Sequence, residues 1–224
     1  TRLIHSVVAA TRTVGIDSSE AHLDRARAAS QTSQGASALG VGRGRGISYR
    51  CHDLRAAPLL FSLQADLVFG RFILTHLAEP GRIVRGWTEL LSGCGVILLQ
   101  ETTRMECPHP TFIRYYQLVG ELQRLHGQAL YIGRELEPLV RAAGLNVFHS
   151  EEARFERTAA DMARLHLTNL RSWREDEAAR RAFDSEELDQ LAISLRQIAG
   201  GAVKCPPVLV GLAEVAARRP PARP

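Results

Sequence analysis

The sequence has no apolar run of the roughly 18 residues that a bilayer span requires, which argues against a membrane-crossing helix. It has no CxxC pair. Its four cysteines, Cys51, Cys94, Cys107 and Cys205, are scattered, which argues against a zinc site and a disulfide framework and suits a reducing cytoplasm. No signal peptide is visible, and no segment repeats another. Lysine is almost absent: Lys204 is the only one among 28 basic residues. The arginines are spread along the chain and interleaved with acids. The net charge of +4 therefore makes no clustered stripe of the kind a nucleic-acid partner requires. The first residue is Thr rather than Met, so the natural start is expected to lie upstream.

What is present fits an α/β protein. A chain of 224 residues suffices for one α/β domain with extra helices, or two small domains. It can bury about 70% of its unfolded surface without staples. After a helical tail at Leu3, Ile4, Val7 and Val8 comes the stretch around which the rest is arranged, Arg12 to Arg27. Val14 and Ile16 suit a buried strand. Asp17 ends that strand, Ser18 and Ser19 can cap a helix, and Glu20 places negative charge in its first turn. Leu23, Ala26 and Ser30 give that helix a small face for packing on a sheet. An acid at the carboxyl end of such a strand is placed to accept two hydrogen bonds from a ribose diol. The alternative is an Asp that only caps the next helix, and the residues leave both open.

Gly40, Gly42 and Gly44 could cradle a phosphate, but a polar stretch precedes them and a strand follows, so they read as a connection. The next strand, Ile47 to Cys51, leads into His52-Asp53-Leu54. Another, Ala65 to Phe69, runs into Gly70-Arg71. A helix starts near Pro80 with Ile83, Val84, Trp87, Leu90 and Leu91 inward, and Gly93 is expected to cap its end. Val96 to Leu99 is a wholly apolar strand ending at Gln100-Glu101. Strands alternating with helices predict a mostly parallel, Rossmann-like open sheet, with ligands outside the carboxyl ends of its strands. Asp17, Asp53, Gly70, Arg71 and Glu101 all fall at such ends in this reading.

The second half is more helical. Phe112, Tyr115, Tyr116, Val119 and Gln123 share one helix face, and Leu136, Leu139, Val140 and Ala143 another. Leu145 to Phe148 resumes the sheet. The last of the helices between about 158 and 200 opens with Asp184 and Glu187 at capping-box spacing and carries Leu188, Leu191, Ala192, Leu195 and Ile198 inward. Pro207 to Ala217 reads as a closing strand. The expected organisation is a core over 1–157 and 201–217 with a lid helix at 109–127, a helical insertion over 158–200 capping the substrate, and a frayed tail at 218–224.

The order of these pieces resembles the class I S-adenosylmethionine-dependent methyltransferases. Val14-Gly-Ile-Asp17-Ser-Ser, with Leu23 and Ala26-Arg27, resembles the family's second-strand motif. His52-Asp53-Leu54 resembles its adenine-contacting motif. Asp66 to Leu77 with Pro80 resembles the fourth-strand motif. Leu90-Leu-Ser-Gly93-Cys-Gly95 with Val96 to Leu99 resembles the turn and fifth strand, with Ser and Cys substituted. Tyr131-Ile-Gly-Arg with Leu139 to Gly144 resembles the helix before the sixth strand. The resemblance implies a seven-stranded-type sheet whose first strand and glycine-rich loop should lie just before residue 1, outside this sequence.

It also implies a cofactor, S-adenosyl-L-methionine, held by Asp17 and Ser18 at the ribose, Asp53 and the Leu54 amide at the adenine, and Phe69, Gly70 and Arg71 along the methionine portion. The implied activity is methyl transfer to the O, N or C atom of a small-molecule acceptor, with no metal. Methyl transfer needs alignment, and a base only where the acceptor must lose a proton. Candidate bases are His76, Glu101, His109, Tyr115, Tyr116 and His166, with His76 and His166 first. Glu101, Tyr115, Tyr116 and Asn169 are candidates for the acceptor pocket. His166 and Asn169 share a stripe with Met162 and Leu165, and polar groups facing inward must find partners, either a substrate or a hydrogen bond within the protein. Two other readings stand beside this one: a protein of this fold that cyclises or rearranges its substrate without methylating it, and a non-catalytic binding protein with a degenerate cofactor site.

Overall fold

The computed structural model describes residues 1–34, 46–55 and 64–221. The Gly40, Gly42 and Gly44 connection and the end of the tail, 222–224, lie outside the described residues. The chain divides into two compact units, Thr1–Leu60 and Phe61–Pro224.

In the first unit, helix α1 (Arg2–Val7) precedes strand β1 (Arg12–Asp17), helix α2 (Glu20–Gln34) and strand β2 (Gly46–Cys51). β1 and β2 pair in parallel from Arg12↔Gly46 to Asp17↔Cys51. A parallel pair needs a crossover, and α2 supplies it. The expected face of α2 is the one used: Leu23 is buried, Ala26 and Ser30 are half-buried, and Ser30 Oγ lies 2.7 Å from Tyr49 Oη on β2.

The second unit contains strand β3 (Ala65–Arg71), helix α3 (Pro80–Glu89), strand β4 (Leu91–Glu106), helices α4 (Pro110–Leu125) and α5 (Leu136–Ala142), strand β5 (Asn146–Arg157), helices α6 (Ala159–Trp173), α7 (Glu177–Ala182) and α8 (Ser185–Ala199), and strand β6 (Val208–Arg218). Short 3-10 turns lie at Leu74–His76 and Ile132–Glu135. The sheet runs β3-β4-β6-β5. β3 and β4 are parallel, and β6 is antiparallel to both of its neighbours.

The helix faces are as the spacing predicts. Ile83, Val84 and Trp87 of α3, and Leu188, Leu191, Ala192, Leu195 and Ile198 of α8, are buried. Removing such a side chain from water contributes about 1.5–3 kcal/mol. α4, α6 and α8 enclose one aromatic core. In it Tyr115 stacks on Trp173 with centroids 5.3 Å apart, and Trp173 lies 6.2 Å from Phe183.

Several local expectations are corrected. Gly93 caps no helix: α3 ends at Glu89, and Gly93 already lies in β4. The Val96–Leu99 strand does not stop at Glu101 but runs on to Glu106, so Glu101 is interior to a strand. Buried positions alternate through Ile97, Leu99, Glu101 and Thr103, so the inward face continues through polar residues that hide the period. Asp184 caps α8 through the Glu186 amide at 3.2 Å rather than through a capping box. Glu187 instead pairs with Arg114 on α4 at 2.5 and 2.9 Å. Leu165 is 52% exposed, so the inward stripe of α6 is Met162, Ala163, His166, Leu170 and Trp173. Arg218, expected in the tail, is the last residue of β6.

Candidate functional site

In the first unit, parallel pairing brings two acids to one rim. Asp17 closes β1, its partner Cys51 closes β2, and Asp53 follows two residues later. The His52 amide donates to the Asp17 carbonyl at 2.9 Å, continuing the ladder to the doorstep of Asp53. Asp17 Oδ1 accepts from the Ser19 amide at 2.8 Å, and its Oδ2 lies 3.5 Å from His22 Nδ1. The capping role is therefore real, but it occupies one oxygen and leaves acceptor capacity on the half-exposed carboxylate. Asp53 takes both oxygens to Arg55, with Nη2 to Oδ2 at 2.7 Å and Nε to each oxygen at 3.0 Å. Hydrogen bonds from the Arg55 side chain and amide hold its pKa at about 2. Ser18 is exposed, and Leu54 is half-buried beside Asp53.

In the second unit, Phe69, Gly70 and Arg71 close β3. A Cβ on Gly70 would come within 3.0 Å of Leu99 Cδ2 and 3.3 Å of Trp87 Cζ3, a tight fit that a larger residue could enter only if those side chains shifted by a few tenths of an ångström. The next residue, Phe72, has φ +53°, a left-handed conformation that bulky residues rarely adopt and that clusters at ligand sites. The Arg71 guanidinium lies 4.7 Å over the Phe72 ring, and both are exposed. Sequence reasoning missed Phe72, since nothing in its neighbourhood forecasts a positive φ.

Glu101 is fully buried on β4. Its Oε1 accepts the Ile73 amide at 2.8 Å and the Leu74 amide at 2.7 Å, fastening the turn that carries His76. Burial raises its pKa above the ordinary carboxylate value, while those amides oppose the rise. His76 is exposed at the end of the turn, where crowding by its neighbours lowers its pKa. His109 caps α4, with Nδ1 accepting the Thr111 amide at 3.3 Å.

His166 is 2% exposed. Its ring stacks on Tyr115 at 3.9 Å, its Nε2 lies 3.2 Å from Tyr116 Oη, and its Nδ1 has no hydrogen-bond partner. Burial lowers its pKa to about 3, so it is neutral at physiological pH. Asn169 Nδ2 donates to Tyr115 Oη at 3.1 Å. Burial raises the pKa of both tyrosines, so both keep their protons. The structure thus unites His166, Asn169, Tyr115 and Tyr116 in one cluster, two hydrogen-bonded pairs joined by the Tyr115–His166 stack, while Glu101 is bonded to the amides of the turn and not to His76 at its end.

Tyr116 also lines a shallow cavity of about 660 Å³ that is wide open to solvent, together with Met105, Cys107, Ile113, Tyr131 and Leu209. Its volume is ordinary for a small-molecule site, and its wall is mostly apolar with Glu106 and Gln117 added. Tyr116 is the one residue it shares with the sequence-derived pocket; Met105 and Glu106 escaped because the strand's extension over 101–106 was not foreseen, and the rest come together only through α4, β6 and the turn at Tyr131. A smaller cavity of about 370 Å³ lies along α6 and α8, bordered by Arg171, Arg174, Arg196 and Asp189. None of these carries a sequence signal, and Arg174 is ion-paired with Asp189. Among the described residues, no three His, Cys, Asp or Glu side chains are placed to hold a metal ion, and no helix is long and apolar enough to cross a membrane.

The fold is that of the class I S-adenosylmethionine-dependent methyltransferases. A candidate methyltransferase from Bacillus halodurans C-125 superposes with a TM-score of 0.56 at 16% identity, covering 93% of this chain and 83% of that one. Mycolic acid cyclopropane synthase CmaA1, crystallised with S-adenosylhomocysteine, gives 0.53 at 14% identity over 96% of this chain and 73% of its own. The 4+2 cyclase SpnF gives 0.52 at 18% identity over 92% and 65%. No protein-family description and no curated protein matches the sequence.

Proposed function

We propose that this protein binds S-adenosylmethionine and transfers its methyl group to a small-molecule acceptor. The observation that carries the reading is the placement of Asp17 and Asp53 at the carboxyl ends of two hydrogen-bonded parallel strands, where nucleoside ligands sit on open α/β sheets. Asp17 has acceptor capacity left for a ribose hydroxyl. The Leu54 amide would donate to an adenine ring nitrogen and Asp53 would accept from the adenine amino group, with Arg55 yielding a carboxylate oxygen. When bound, the cofactor supplies an electrophilic methyl on a sulfonium; the chain's part is binding and alignment.

The acceptor is assigned to the cavity beyond β4, whose lining suits an apolar body with a polar end that Glu106 or Gln117 can meet. His166 and Asn169 act there as positioning residues, fixing Tyr116 and Tyr115. With a pKa of about 3, His166 is a poor store for an acceptor proton, so the reading favours acceptors that need no strong base. The likeness to a cyclase supports a second reading, in which the same fold rearranges its substrate.

The test is a thermal-shift and calorimetric titration of the protein with S-adenosylmethionine, compared with Asp17→Ala. Binding should raise Tm, since a native-state ligand stabilises. Asp17→Ala should weaken it about 10–100-fold, the worth of hydrogen bonds to a charged acceptor. No binding by the unaltered chain would end the proposal. Binding with turnover products that lack an added methyl would favour the cyclase-like reading.

A further inference from the structure

We infer that Cys107 and Cys205 are the site of a reversible disulfide at the wall of the cavity beyond β4. The two Sγ atoms lie 3.7 Å apart although the residues are 98 positions apart in sequence. The sheet brings them together. The β4–β6 ladder ends at Glu106↔Leu209, Cys107 is the next residue after β4, and Cys205 lies just ahead of β6. Cys107 is buried and lines the cavity, and Cys205 is half-buried. A disulfide needs the sulfurs to close to about 2.05 Å. Residues 204–207 are neither helix nor strand, so that backbone can take up the movement without breaking a ladder. The other cysteines, Cys51 and Cys94, are exposed, and no sulfur–sulfur contact involves them among the described residues. The pair has no third metal-ligating neighbour, so a metal is not the better explanation.

The chemistry balances with hydrogen peroxide as oxidant. The thiolate of Cys205, the more exposed of the two, attacks one peroxide oxygen; the O–O bond breaks, hydroxide leaves and a sulfenic acid forms. The Cys107 thiolate then attacks that sulfur; the S–O bond breaks, hydroxide leaves and the S–S bond forms. Two thiols and one peroxide give one disulfide and two waters, with each sulfur losing one electron to the peroxide oxygens. Burial, with Cys107 alongside, raises the Cys205 thiol to about 11, so the reaction is slow at neutral pH and quickens as pH rises. The bond would tie the end of β4 to the lead-in of β6, across the wall that Cys107 gives the cavity.

The test uses the full chain carrying Cys51→Ser and Cys94→Ser, oxidised with hydrogen peroxide. The expected result is an intramolecular product lighter by two hydrogens with no free thiol, restored to two free thiols by dithiothreitol. Its rate should rise about tenfold per pH unit below the thiol's pKa. Two thiols that stay free in the folded protein, sulfinic or sulfonic products in place of the bond, or links only between chains would overturn the inference. Should the double variant fail to fold, peptide mapping of the oxidised unaltered chain decides. A Cys107–Cys205 linked peptide supports the site; its absence, or links through Cys51 or Cys94 alone, refutes it. The outcome does not depend on whether the protein methylates anything.

Discussion

The two units of this chain divide burial and exposed chemistry unequally. Among the described residues of Thr1–Leu60, Leu23 is the single buried apolar side chain, while Phe61–Pro224 holds a core of aromatic and aliphatic residues from α4, α6 and α8. The first unit carries the two rim acids in partial exposure; the second carries Glu101 and His166 out of reach of solvent. A two-stranded sheet is marginal by itself, whereas a wide core can hold a polar group in place against its preference for water. The same residue types therefore sit differently in the two places: the acids of the first unit stay half-exposed at the strand ends, and the buried polar groups of the second are held by the fold through Glu101 Oε1 and His166 Nε2.

Changes at five positions test that contrast. The largest effect should follow Trp173→Ala, which removes the ring stacked on Tyr115 and facing Phe183. Denaturant unfolding should show a loss of about 3–5 kcal/mol. Leu23→Ala should fall at the low end of the 2–5 kcal/mol typical of leucine truncation, because a thin layer collapses more readily around the gap. An equal or greater loss at Leu23 would break the comparison.

Glu101→Ala should cost about 2–4 kcal/mol, since it leaves two buried amides without their acceptor. Glu101→Gln keeps an acceptor oxygen and should be close to neutral. The sign of its pH effect follows from the raised pKa. The folded chain binds this proton more tightly than the unfolded one, so above the ordinary glutamate value stability falls as pH rises towards the folded pKa. Glu101→Gln should erase that slope in a pH series of unfolding curves.

His166 acts in the opposite sense. Its pKa drops from about 6.5 unfolded to about 3 folded. The unfolded chain therefore binds more protons between those values, and stability is full above the upper one and lost progressively as pH falls towards the lower. His166→Gln should lower stability at neutral pH and flatten this acid limb. An unchanged limb would place the imidazole in water.

The smallest effect belongs to the thin unit. Arg55→Ala should leave Tm within error, because the Arg55–Asp53 pair is exposed. It should nevertheless let the Asp53 pKa climb back from about 2 towards the ordinary aspartate value in an NMR titration.

Much of the fold was legible because its signals are local. The alternation of strand and helix, the inward faces of α3, α4 and α8, and the acids after β1 and β2 rest on periodicity and on residues within a turn of one another. What escaped was set by contacts distant in sequence. Glu101 reads as a strand-end ligand group until the inward alternation of β4 is seen to continue past Leu99 through Glu101 and Thr103. Asp17 left capping and ligand binding open, and the structure shows the cap while sparing an oxygen. His166 and Asn169 were placed on one stripe, but their partners, Tyr116 and Tyr115, lie 50 and 54 residues away. Phe72 and the Cys107–Cys205 contact have no local signature at all.

The length of β4 has one more consequence. Its pairing with β3 stops at Gln100, yet β4 continues to Glu106, so among the described residues no strand pairs with its far third on that side. Side chains seal the gap: Arg134 Nε donates to the Thr103 carbonyl at 2.7 Å and Tyr131 Oη to the Met105 carbonyl at 3.3 Å. Gly133 presses so close that a Cβ there would sit 2.5 Å from the Glu101 carbonyl. A border closed by a phenol and a guanidinium can be unfastened by two rotamer changes, where a strand would have to be peeled away. Since Tyr131 also walls the large cavity, one phenol serves both the sheet's border and the cavity's lining.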